Sequence, residues 1–133
     1  MNIKYEKVKY KFLMWCIEDY TSLFTLFSFV EEFYKYDDLN LLKKNTLEIV
    51  ENLLEEGTIE AGFLKNQNTL EVWKKDKNSI IKDIKFLWDN LNRNLYFHEI
   101  AWFNATVKGI MEFEKLNHLP ELKETDSFYL DEE

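Results

Sequence analysis

Residues 53–73, LLEEGTIEAGFLKNQNTLEVW, decide how the rest of the chain folds. A helical period ends on Glu55-Glu56-Gly57, and from 58 to 64 the apolar residues recur closer to every second position. Gly57 follows the last helical turn, where the backbone wants a positive φ, so it reads as a C-cap. Gly62 stands inside the strand-like run, which marks a bulge or a close backbone approach. Lys65-Asn66-Gln67-Asn68 supplies turn-forming residues before a second run at 69–73. Two antiparallel strands are therefore expected here, with helices on either side to pack on them.

Working upstream, 39–56 reads as a helix with Asp37-Asp38 offering its N-cap and Leu42, Thr46, Ile49, Val50 and Leu53 on its apolar face. Residues 11–36 repeat apolar side chains at steps of three and four, and Tyr20, Phe24 and Phe29 widen the stripe. A helix apolar on more than one side belongs in a core, with a break expected at 19–22 where Asp, Thr and Ser can start a new helix. Residues 1–10 alternate Ile3, Tyr5, Val8 and Tyr10 with Lys and Glu, which suits a short strand or the start of the helix.

Downstream, Asp76 or Asn78 caps a helix running to about residue 92, with Ile80, Ile81, Ile84, Leu87, Trp88 and Leu91 as its buried stripe. Residues 95–107 read as extended, with Phe97, Ile100, Trp102 and Phe103 as core candidates. Gly109 is a plausible turn before 110–113, whose spacing suits a hairpin partner or a short terminal helix. The expectation is an α+β fold, mostly helical, with a small antiparallel hairpin or sheet, in an order that a winged helix would also produce. One globular domain, 1–118, is followed by an acidic tail, 119–133, expected to be solvated.

A chain of 133 residues, 46% hydrophobic and 17% aromatic, can bury a sizeable core. Its net charge of −8 repels phosphate backbones and favours a basic partner. Arg93 is the only arginine, which leaves little for a bidentate phosphate clamp. Cys16 is the only cysteine; it excludes an internal disulfide and, among Met14, Trp15 and Ile17, reads as a buried inert thiol. The first residues lack a signal peptide's apolar core and cleavage site, and the longest apolar window falls far short of the roughly 20 residues that span a bilayer. A cytosolic protein is expected.

The sequence contains no recognisable catalytic pattern. His98 and His118 lack metal-ligand spacing, no Gly-rich phosphate loop or GxSxG elbow occurs, and adjacent acids such as Glu31-Glu32 point in different directions on a helix. Trp15, Trp73, Trp88 and Trp102 each sit on an apolar stripe and are read as core. No catalytic residue, metal or cofactor is expected.

LLEEG followed by IEAGFL, then Trp73, the helix end Ile84-Lys85-Phe86-Leu87-Trp88 and Glu99-Ile100-Ala101-Trp102-Phe103 resemble small bacterial immunity proteins found beside contact-dependent and other polymorphic toxins. The similarity covers roughly 39–109, and the N-terminal aromatic helix lies outside it. The resemblance implies a protein that binds and neutralises a cognate toxin without chemistry of its own, and it carries no catalytic residues. An acidic protein suits a nuclease toxin, whose cleft is basic because it binds phosphate. The acids at element ends, Asp37, Asp38, Glu55, Glu56, Glu60, Glu99, Glu112 and Glu114, are the expected partner contacts, acting collectively. The rivals are a phage-type acidic inhibitor or decoy of a nucleic-acid-binding protein, a winged-helix regulator reading DNA through the helix at 74–91, and a small hydrolase.

Overall fold

The first helix organises the molecule from its middle. In the computed structural model, which describes residues 2–66 and 68–123, α1 spans Ile3–Glu18 and is capped by Asn2, whose side chain accepts from the Tyr5 amide at 3.2 Å. Val8 to Leu13 are six consecutive buried residues, so the helix is enclosed on every side rather than along one stripe. The alternation over residues 3–10 therefore resolves as helix. Phe12 meets Phe103 edge-on at 5.6 Å, Trp15 meets Phe29 at 5.8 Å, and Tyr10 stacks on Phe113 at 5.0 Å.

The break expected at 19–22 is present. Thr21–Ser22 form a two-residue strand, β1, and Ser22 then caps α2, Leu23–Tyr34, by accepting from the Thr25 amide. Helix α3 spans Leu39–Glu56, with Asp38 as N-cap and Gly57 as C-cap at φ 76°. Strands β2, Ile59–Lys65, and β3, Thr69–Val72, form the hairpin read from the sequence. Helix α4, Lys77–Asp89, is capped by Asp76; β4, Trp102–Ala105, and α5, Val107–Leu116, follow, then a single turn, α6, Pro120–Lys123.

The sheet order is β1-β4-β2-β3 with every neighbour antiparallel, giving an α+β architecture. Strand β4, laid down after α4, fills the slot between β1 and β2. Ile59 and Ala61, with Phe103 and Ala105, turn to the helices and are buried. Gly62 is the close approach foreseen: a Cβ there would lie 2.0 Å from the Glu71 carbonyl oxygen, while the ladder on both sides stays in register.

Four expectations need correction. Of 95–107 only 102–105 is strand, because the chain before it turns repeatedly instead of pairing. Gly109 sits in the first turn of α5, not in a turn between strands, because the Thr106 hydroxyl caps that helix by accepting from the Gly109 amide at 3.0 Å. The region after α4 is thus a strand and a terminal helix, and the hairpin precedes α4, so the helix-helix-strand-helix-hairpin order of a winged helix is not the order observed. Packing also continues past residue 118: Leu122 is fully buried beside Tyr10 and Leu116, so part of the expected tail belongs to the fold. Residues 124–133 of that tail lie outside the described residues.

Candidate functional site

The eight acids expected to meet a partner are placed differently from one another, and most already have partners inside the chain. Asp38 accepts from the Asn40 and Leu41 amides at the start of α3. Glu55 pairs with Lys77 at 2.9 Å, which holds its carboxyl below the usual range. Glu60 accepts from the Asn104 side chain at 3.1 Å. Glu56 and Glu112 are brought together on Lys9, whose Nζ lies 3.0 and 2.9 Å from them. The Glu56 contact is ionic without hydrogen-bond alignment, while its other oxygen accepts from Tyr5 Oη at 3.4 Å. Asp37 and Glu114 are exposed, and their side chains have no ion pair or hydrogen bond among the described residues.

Lys9 is 5% exposed. Burial alone would pull its pKa down, but the hydrogen bond to Glu112 and the negative charge of Glu56 win and raise it. The same contact, led by the Lys9 hydrogen bond, lowers Glu112, while burial raises the neighbouring Glu6. These charges knit α1, α3 and α5 together. Lys11 is buried likewise, its Nζ 5.1 and 5.6 Å from the rings of Phe29 and Phe33 and 3.3 Å from Glu32.

A different surface is built by the loop between α4 and β4. Glu99 is its hub: Arg93 donates to both carboxylate oxygens, at 3.0 and 2.5 Å, and the Tyr96 amide donates at 2.7 Å. The Arg93 fork, then the Tyr96 amide, push the Glu99 carboxyl down to about 2. The guanidinium also lies 4.0 Å from the centre of the Tyr96 ring. Next to this hub Ile100 has φ 72°, and the Ala101 amide donates to the Glu99 carbonyl at 2.9 Å. That closes a γ-turn on a β-branched residue, a conformation costing on the order of 1–3 kcal/mol that persists only where its surroundings impose it. The Leu23 amide, donating to the Ala101 carbonyl at 2.9 Å, anchors the far end.

Large apolar side chains stand around this loop. Phe86 is 65% exposed and Phe97 55%, with Phe63, Leu87 and Tyr96 close to half. Phe63, Trp73, Phe86, Leu87 and Ile100 outline an open hollow of about 390 Å³, edged by the Lys75–Asp83 ion pair. Leu64, Phe97, His98 and Trp102 outline another of about 530 Å³. On the other side, Phe24, Phe27, Trp88 and Leu95 floor a cleft of about 440 Å³ bounded by α2, α3 and α4. Phe97 links the two sides, lying edge-on to Trp102 at 5.6 Å and to Phe24 at 6.2 Å.

Sequence reasoning placed Phe97 and Leu87 in the core and passed over Phe63, Phe86 and Tyr96. One signal was available for α4. Ile80, Ile84 and Trp88 recur every four residues and take the buried face, so Phe86 and Leu87 cannot share it. The loop's aromatics carry no such periodicity.

Among the described residues no helix is long and apolar enough to cross a membrane, and no group of three or more His, Cys, Asp or Glu is gathered as metal ligands would be. Comparison with family models, with curated proteins and with solved structures finds no significant match.

Proposed function

We propose that this chain is an immunity-type protein of the cytosol that binds and neutralises a cognate protein toxin, a basic nuclease domain, by covering its working surface, without chemistry or cofactor of its own. One observation carries the reading: exposed aromatics, led by Phe86 and Phe97, ring a loop held in a strained conformation by the Arg93–Glu99 fork. Aromatic side chains give a protein interface its anchors, and a pre-ordered loop lowers the entropy cost of docking. The net charge of −8 supplies steering toward a cationic partner.

Contact by acids shifts in this reading from the eight named residues to those left without internal cations. Asp37 and Glu114 stay on that list, as do Asp38 and Glu60, whose internal partners are neutral donors; Glu55, Glu56, Glu99 and Glu112 act first within the fold. A DNA-reading role for α4 finds less support, since Lys75, Lys77 and Lys85 are all engaged with acids of the same chain.

The test is coexpression with the product of the reading frame adjacent to its gene. The expected result is restored growth and a stable one-to-one complex that the double change Phe86→Ala, Leu87→Ala disrupts. Growth that stays arrested with both proteins present, or a complex indifferent to those two changes, refutes it.

A further inference from the structure

The cleft opposite the aromatic hollows has a definite electrostatic character once its internal ion pairs are accounted for. Four charged residues line it: Glu31, Lys43, Asp89 and Arg93. Lys43 is paired with Asp89, and Asp89 also takes Lys85 at 2.8 Å. Arg93 is spent on Glu99. Glu31, on the exposed side of α2, has no ion pair among the described residues. The cleft therefore presents one uncompensated negative charge above an aromatic floor. Asn40, Asn92 and Asn94 complete the mouth, and none of their side-chain amides is engaged with the described chain.

We infer that this cleft is the seat for an arginine side chain of the bound partner protein. The proposal rests on the reading of the chain as a binder of a basic protein and names the anchor that binding would use. The chemistry matches group by group. A planar guanidinium stacks on Phe24 or Phe27, whose faces are electron-rich, and forks onto the Glu31 carboxylate. Its remaining N–H groups meet carboxamide oxygens of the asparagines. The fold already contains the same device: Lys43 Nζ lies 5.4 Å from the centre of the Trp88 ring while bound to Asp89. An anionic anchor would have to face Glu31 without a free cation to meet it, and a purely apolar one would leave the three amides unanswered. The volume, about 440 Å³, lies within the range of sites that take small ligands or single side chains.

The experiment titrates the full chain with Nα-acetyl-arginine amide, following backbone amide shifts by NMR, beside the neutral citrulline amide and the lysine amide. The expected result is saturable shifts centred on Phe24, Phe27 and Glu31, with affinity on the order of millimolar. The citrulline amide should bind roughly fivefold more weakly or not at all, and Glu31→Gln should weaken the arginine amide about two- to fivefold. Shifts spread over unrelated acids such as Glu48 and Glu114, equal binding of the citrulline or lysine amide, or an unaltered Glu31→Gln titration overturn the proposal. Arginine-amide binding without any toxin neutralised would sink the proposed function alone. A complex that forms in full with Glu31→Gln while the amide titration is silent would sink the cleft alone.

Discussion

Replacing Lys9 by Met removes one charge from the junction of α1, α3 and α5 and keeps most of the side chain's bulk. In the parent the ammonium is almost wholly enclosed and faces Glu112 and Glu56 at 2.9 and 3.0 Å. Taking away one member of a fully buried ion pair costs about 3–5 kcal/mol, because its partner is left charged and dry. Here the carboxylates are partly open, with side chains 24% and 41% exposed for Glu112 and Glu56, so water takes over part of the lost interaction. The expected loss at pH 7 is then about 2–3 kcal/mol, or a fall in Tm of roughly 10 °C. The pH dependence follows from the shifts. Lys9 lowers the folded-state pKa of Glu112, so the stabilisation is present above the unfolded carboxylate value of about 4.3 and disappears as pH falls through the lower folded value. The raised Lys9 pKa keeps its contribution until strongly alkaline pH. Urea unfolding followed by tryptophan fluorescence should show a gap between parent and variant that is constant near neutrality and closes below about pH 4. The triple change Lys9→Met, Glu56→Gln, Glu112→Gln should recover much of the loss. A single variant within about 0.5 kcal/mol of the parent at pH 7, or a gap that does not narrow in acid, refutes the reasoning.

Other expectations are as direct. Gly62→Ala puts a methyl 2.0 Å from the Glu71 carbonyl oxygen, so β2 and β3 must part, and denaturant unfolding should register a loss of about 1–3 kcal/mol. Phe86→Ala should change stability by less than about 0.5 kcal/mol, since the ring is mostly in water, yet weaken the partner complex at least tenfold by calorimetry. Glu99→Gln should raise amide exchange across 94–101 with little change in Tm; because the parent carboxyl titrates at about 2, the parent loop should stay closed at pH 4. The Cys16 thiol, pushed up by burial, should resist a thiol reagent in the native state and react fully in urea.

The route from sequence to fold was open wherever structure is set by neighbours along the chain. The capping residues Asp38, Gly57 and Asp76, the helix at 39–56 and the turn after Lys65 follow from rules that act over a few residues, and the structure keeps them in place. The loop before β4 obeys no such rule. Its shape is imposed by Glu99 acting as a hub, and a strained residue such as Ile100 contradicts its own local preference.

The amino-acid sequence by itself determined the α+β class, the hairpin with a helix before and after it, and the net charge of −8. It could not determine which charges are spent. Lys9 finds Glu56 and Glu112, forty-seven and one hundred and three positions further on, and Arg93 locks Glu99. Pairing of that kind depends on distance through space, and at 3 Å in a partly dry environment it decides whether a carboxylate serves the fold or faces a partner. The same is true of the aromatics: a phenylalanine has one hydrophobicity, and only the packing of α4 against α3 leaves Phe86 in water while Phe103 is enclosed beside α1.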